Sequence, residues 1–228
     1  MPVAKYPCPT CGAEIIFRTS IAAYATCPYC HTMVVRQDDG IKNLGTMAQL
    51  PEDMSPFQIG TDGYFNGVHF GIVGRMRMGW EDGSWNEWFM VSDDMRRGWV
   101  AEAQGFYAPC FETTDDLDDA HKHNVGLIAA ELEGAKESGL TNLMGKIVTL
   151  KKSAYKIVDI KVAECIGSEG ELPFKAAKGR KTVSADLIHG DNLFATIEAG
   201  PEGTRIFEGA YVEWADLRCG YFRRFEGW

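Results

Sequence analysis

Two Cys-x-x-Cys pairs, Cys8-Pro-Thr-Cys11 and Cys27-Pro-Tyr-Cys30, stand fifteen residues apart at the start of the 228-residue chain. A tight Cys-x-x-Cys turn presents two thiolates from one side, so two facing turns complete the four soft ligands of a tetrahedral metal. The prolines and Gly12 favour such turns, and Glu14 to Arg18 and Thr32 to Arg36 read as the short strands that follow them. A redox dithiol needs one reactive pair at a helix start after a strand, and two pairs flanking a hairpin do not fit that pattern. Cys8, Cys11, Cys27 and Cys30 are therefore assigned to one structural zinc ion, with His31 left as a surface residue. Four thiolates close the coordination shell, so the ion contributes folding free energy rather than chemistry.

Residues 5–37 closely resemble the zinc-ribbon family. That resemblance implies a small module that binds nucleic acid, binds protein, or caps a neighbouring fold. The other cysteines, Cys110, Cys165 and Cys219, are far apart and odd in number, which speaks for a reducing compartment over a disulfide framework. They lie in apolar stretches and read as small hydrophobes, with Arg218 beside Cys219 as the nearest basic neighbour. No run of roughly 18 apolar residues is present to span a membrane. Met1 to Pro7 lacks a signal-peptide layout, so the expected location is cytoplasmic.

Beyond residues 1–37, a linker without steady period is expected over 38–56, then strands over 57–112, an acidic connector over 113–145, and strands again over 146–228. Phe70, Ile72, Met76 and Met78 alternate, Glu81 to Ser84 form a turn, and the Trp85 to Val91 run returns as an aromatic strand. In the connector, Asp115, Asp116, Asp118 and Asp119 precede Leu117, Ile128, Leu132 and Ala135. This suggests a short helix capped by Thr113 or Thr114, weakened by Gly126 and Gly134. The fold class is mainly β: the ribbon plus an antiparallel barrel or sandwich-like region. Phe70-Gly-Ile-Val-Gly74 and Tyr155-Lys-Ile-Val-Asp159 each place an aromatic before an apolar pair, a match compatible with two related β modules but short enough for any two strands to share.

Four of six tryptophans lie between Trp80 and Trp99. The run Trp85-Asn86-Glu87-Trp88-Phe89, then Gly98-Trp99-Val100-Ala101-Glu102 and Gln104-Gly105, resembles the bacterial domain of unknown function 4178 family. Gly170-Glu171-Leu172-Pro173, Ala185-Asp186-Leu187 and Phe207-Glu208-Gly209 resemble its second half. The resemblance covers about residues 57–225, with gaps at 113–145. It implies a β-rich cytoplasmic module without an established activity, in a family associated with membrane-stress or small transport-related systems, and supplies no catalytic residues.

Trp85 and Trp88, three apart in a strand, face opposite sides of the sheet. Trp85, Glu87, Trp88 and Trp99 are the partner-binding candidates, with plain core packing as the competing reading. A carboxylate pair for acid–base work would come from Glu87, Asp93, Asp94 and Glu102, but no His, Ser or Cys stands at a supporting spacing. His121 and His123 form a weak H-x-H metal signal, and the phosphate-loop glycines are missing at GKIVTLKK. Arg36 on the ribbon, and Arg223 and Arg224 among C-terminal aromatics ending at Trp228, are candidates for nucleic-acid or anionic lipid contact. Net charge is −9, and residues 51–145 hold six basic and seventeen acidic side chains, which repels phosphate backbones. The sequence thus predicts a non-enzymatic, zinc-binding interaction or scaffold protein with peripheral membrane association open to it. Nucleic-acid binding through the ribbon and basic C-terminus is the alternative.

Overall fold

A computed structural model describes residues 4–38, 40–51, 53–138 and 142–225, with the backbone alone for 135–138. Ala135 as a packing residue and Trp228 therefore lie outside the described side chains. The ribbon comprises hairpin β1 (Ala4–Pro7) and β2 (Glu14–Phe17), then β3 (Tyr24–Thr26) and β4 (Thr32–Gln37), followed by β5 (Gly40–Thr46). The stretch expected as a linker thus contains a strand: β5 pairs with β4.

After β6 (Asp62–Phe65), the strands β7 (Val68–Trp80), β8 (Gly83–Ser92), β9 (Arg97–Ala103) and β10 (Phe106–Glu112) form one antiparallel meander. Helix α1 (Asp119–Ser138) and β11 (Ile147–Leu150) follow. A second meander is built from β12 (Ser153–Leu172), β13 (Lys181–His189), β14 (Leu193–Gly200) and β15 (Gly203–Ala210). The two meanders meet at two antiparallel seams, β10 with β15 and β7 with β12, which close eight strands into a barrel. Residues 57–112 and 146–228 are therefore halves of one closed sheet rather than separate modules, because each leaves two edges that the other pairs.

The short match between the halves has a structural counterpart. The β7–β8 ladder is bulged between Ile72 and Gly74, and the β12–β13 ladder between Ile157 and Asp159, the same places in the two five-residue segments. A bulge bends its strand and increases local twist, which a sheet needs in order to curl shut. At the β7–β12 seam, Gly170 has φ +69, and a Cβ there would lie 2.4 Å from Val73 O. Only glycine lets the two backbones approach this closely.

Helix α1 is longer than the short connector expected, running twenty residues. Its cap is Asp118, whose Oδ1 accepts from His121 N at 2.9 Å; Thr114 Oγ1 instead accepts from Ile206 N at 3.0 Å. Gly126 is tolerated because Val125, Ala129 and Leu132 are buried on the outer wall of β13 and β14, and that packing outweighs its helix penalty of about 1 kcal/mol. The outer wall of β7 to β10 is covered by Phe57, Leu217 and neighbouring residues. The ribbon is joined to the barrel by its own sheet: β3 pairs with the end of β12, Tyr24 opposite Leu172. Buried Glu171 reinforces the junction by accepting from Arg18 N at 2.8 Å and Thr19 N at 3.1 Å.

Candidate functional site

The two knuckles adopt matching backbone paths. Gly12 N donates to Cys8 O at 2.9 Å, and His31 N donates to Cys27 O at 3.0 Å. Both residues have positive φ, +78 and +57. His31 thus occupies the position that glycine fills in the first knuckle, a backbone role that its surface side chain does not reveal. The four Sγ atoms lie within 4.8 Å of one another, with Cys8–Cys30 at 3.6 Å and Cys11–Cys27 at 3.7 Å. Metal–sulfur bonds of about 2.3 Å at tetrahedral angles separate the sulfurs by about 3.8 Å, whereas a disulfide requires about 2.05 Å. The donor set fits a four-coordinate metal with no ligand position left open. Thr32, with Oγ1 3.2 Å from Cys30 Sγ, lowers that thiol's pKa to about 6, whereas the Cys11 thiol, despite a backbone hydrogen bond at Ala13, is pushed up to about 12 by the neighbouring sulfurs.

The second site is the barrel interior, a cavity of about 450 Å³. One side-chain parity of each strand faces it: Met76 and Met78 on β7, Trp85 and Glu87 on β8, Trp99 and Ala101 on β9. The second meander contributes Ala163, Ser184, Asp186, Thr196, Glu198 and Arg205. At one end Arg180, Arg205 and Trp99 line it and pack on buried Phe174, each guanidinium 4.3 Å from its ring. The other end opens where β7–β8 and β9–β10 turn, and there the cavity is edged by Trp80, Phe106 and Tyr211, 41%, 71% and 47% exposed. An eight-stranded barrel is just wide enough to hold one small ligand, and this volume lies within the usual range for ligand cavities.

Charges in the lumen are unevenly matched. Arg205 Nη2 is 2.6 Å from Glu198 Oε1, Arg180 is held by Glu202, and Lys161 by Asp159. Among the described residues Glu87 accepts one hydrogen bond, from the Trp85 indole Nε1 at 2.6 Å, and it is half-buried in the lumen wall. Desolvation pushes its pKa up to about 8, opposed by the Trp85 bond and reinforced by the negative field of Glu198 and Asp186. Asp186 accepts from Thr196 Oγ1 at 2.8 Å and lies 4.0 Å from Lys161 Nζ; burial raises its pKa as well.

The expected partner-binding residues separate. Trp85 and Trp88 do face opposite sides: Trp85 lines the lumen, and Trp88, 2% exposed, packs on the outer wall beneath Phe57. Trp99 is buried beside Phe174, so neither Trp88 nor Trp99 offers a surface platform. Asp53 draws together Arg75, Arg77, Asn86 and Arg223, the last at 2.8 Å, so Arg223 fastens the C-terminal segment to the barrel wall. Arg36 donates to Ser20 O at 2.7 Å and Thr19 O at 3.2 Å and stacks on Phe17. Both arginines are bound within the fold, and Arg224 is the exposed member of the three, near Phe222.

The carboxylates considered for acid–base work do not converge, although the structure supplies partners that the spacing did not. Asp93 is 2.9 Å from His69 Nδ1, and Asp94 pairs with Ser92 and Arg96. Glu102 accepts from Ser55 Oγ at 2.5 Å and Trp88 Nε1 at 2.8 Å on the outer wall, opposite to Glu87. His121 bonds to its helix cap Asp118 at 2.6 Å, and His123 is exposed. Cys110 and Cys165 are buried, and burial raises both thiols, as it does that of half-buried Cys219.

A family model described as domain of unknown function (DUF4178) matches residues 58–214, which span β6 through β15 together with α1. The chain belongs to this family. Its DUF4178 region is thus the barrel with its outer helix, and the ribbon precedes the matched residues. No curated protein and no solved structure matches the chain. Among the described residues no helix is long and apolar enough to cross a membrane. Within the DUF4178 barrel, Asp186, Glu198, Arg205, Lys161 and Tyr211 are the lumen residues that the sequence reading missed. The available signal was a polar residue at every second position of TVSADLI and TIEA, which reads as a solvated face until closure turns that face inward.

Proposed function

We propose that this protein is a non-enzymatic binding protein of the cytoplasm: its barrel takes up one small molecule with an apolar body, and its ribbon holds one structural zinc ion. The single observation that carries the reading is the lumen, about 450 Å³ and open at an aromatic mouth. Zinc is favoured over other metals by four thiolates in a tetrahedron with no open position. Zinc's contribution is to hold the two knuckles together, and through β3 to fix the end of β12. Seven free cysteines suit a reducing compartment.

A neutral fluorophore, N-phenyl-1-naphthylamine, tests the lumen. Saturable fluorescence enhancement with one probe per chain is expected, lost in Ala101→Trp, whose indole would fill the cavity. Failure of the wild-type protein to take up the probe would remove the reading. A protein-docking role is the second reading, favoured by Tyr29, 74% exposed on the second knuckle. Retention of a native partner by the wild-type chain and not by Tyr29→Ser would support it. Nucleic-acid binding is less favoured, since Arg36 and Arg223 are already bound within the fold.

A further inference from the structure

The lumen's charge balance specifies more than its volume does. Each cation that lines it already has a carboxylate: Arg205 has Glu198, Arg180 has Glu202, and Lys161 has Asp159. Asp82 lies exposed at the mouth, and two further lining carboxyl groups are left over. Among the described residues Glu87 is bonded by the Trp85 indole, and Asp186 by the Thr196 hydroxyl with Lys161 at the 4.0 Å limit of an ion pair. Neutral donors satisfy the oxygen lone pairs without supplying a counter-charge, so near pH 7 the empty lumen keeps Glu87 protonated, and a bound cation would meet its carboxylate with release of that proton. Trp80, Trp85, Trp99 and Tyr211 also line the wall, and Lys161 Nζ already lies over the Trp80 ring, 5.6 Å from its centroid, as a cation does on an aromatic face. Met76, Met78 and Ala101 provide apolar surface next to these groups.

We infer that the lumen is selective for an organic monocation, an alkylammonium whose charged head is met by Glu87 and Asp186 and whose apolar body lies against the methionines and indoles. This rests on the barrel being a ligand receptor, and it adds the ligand's charge. An anionic ligand would be opposed by the excess of carboxyl groups over cations in the lining, and a neutral one would gain nothing from it.

The experiment is displacement of N-phenyl-1-naphthylamine from the full chain by three eight-carbon compounds of matched shape: octylammonium, octanol and octanoate. Octylammonium should displace at concentrations about tenfold below octanol, the scale of one charge-assisted contact in a partly dry site, with octanoate weakest. Glu87→Gln and Asp186→Asn, each nearly isosteric, should bring octylammonium to within about twofold of octanol measured on the same variant. Equal displacement by octylammonium and octanol, or stronger displacement by octanoate, would overturn the charge preference and leave the receptor reading standing. Absence of fluorophore uptake in the wild-type chain would instead remove the receptor reading and, with it, the preference. The wild-type series decides the matter even if either variant folds poorly.

Discussion

Glu87→Gln tests the energetics of the lumen without any ligand. In the folded chain the Glu87 carboxyl titrates near pH 8, against 4.5 for its ordinary value. The folded state therefore holds a proton that the unfolded state releases between those values, so stability associated with this group is present below pH 4.5 and is lost as pH rises toward 8. At about 1.4 kcal/mol per unit, the full interval sets a ceiling of about 5 kcal/mol. Water in the lumen screens the ionised carboxylate, so a net penalty of about 2 kcal/mol above pH 8 is the expected size. Glutamine keeps the acceptor for Trp85 Nε1 and cannot ionise. The variant should match the wild type near pH 5 and be more stable by about 2 kcal/mol at pH 9 in urea denaturation. The groups facing Glu87 are Asp186 from β13, Glu198 from β14, Arg205 from β15, Cys110 from β10 and Lys161 from β12. Of these, Asp186 shifts in the same direction, so its contribution remains in both proteins and cancels to first order. An equal difference at both pH values, or a less stable variant at pH 9, would refute the account of Glu87 as an enclosed, unmatched carboxyl.

Three further outcomes follow from the seam and the ribbon. Gly170→Ala should cost about 2–4 kcal/mol in urea denaturation, because it strains a positive φ and drives Cβ against Val73 O and Ile59, whereas Gly71→Ala, with nothing within 4 Å, should be neutral or slightly stabilising. Purified reduced protein should carry one zinc per chain by elemental analysis; Cys27→Ser should lose it and show faster amide exchange at Tyr24–Thr26 and at Leu172, which those residues pair with. His31→Gly should raise ribbon stability by about 1 kcal/mol, read as a higher chelator concentration at half unfolding, since the position has φ +57.

How much was legible in the sequence depends on whether a feature is local. The convergence of Cys8, Cys11, Cys27 and Cys30 on one candidate metal site was, because two short spacings fix two turns and a hairpin brings them together. Strand alternation was legible as well, and Trp85 and Trp88 do part to opposite faces of β8. What alternation cannot convey is which face is inside. On β13, Val183, Ala185 and Leu187 are apolar and fully buried, yet they point outward under α1, while Thr182, Ser184 and Asp186 point into the lumen. A binary pattern read on an isolated strand assigns these faces the other way round, and only closure through two long-range seams reverses them. The same non-locality hid the fates of Arg36 and Arg223. Arg223 is a cation among aromatics in sequence and Arg36 follows two valines, and each finds its acceptor, Asp53 or Ser20 O, 170 and sixteen residues away.

The strand that joins both sites is β12. Its first half pairs with β13 and gives Lys161 and Ala163 to the lumen; its second half leaves that partner, closes the barrel against β7 and ends paired to β3 of the ribbon. Because β7 ends at the mouth and β12 runs antiparallel to it, the end of β12 at Leu172 lies at the opposite end, where Phe174 sits between Arg180 and Arg205. The four-cysteine ribbon therefore braces the end of the barrel away from the mouth. The aromatic mouth, formed by hairpin turns and Tyr211, carries none of that bracing. In the proposed receptor this division would let preorganised walls fix the ligand-facing carboxyls while the rim admits an apolar body.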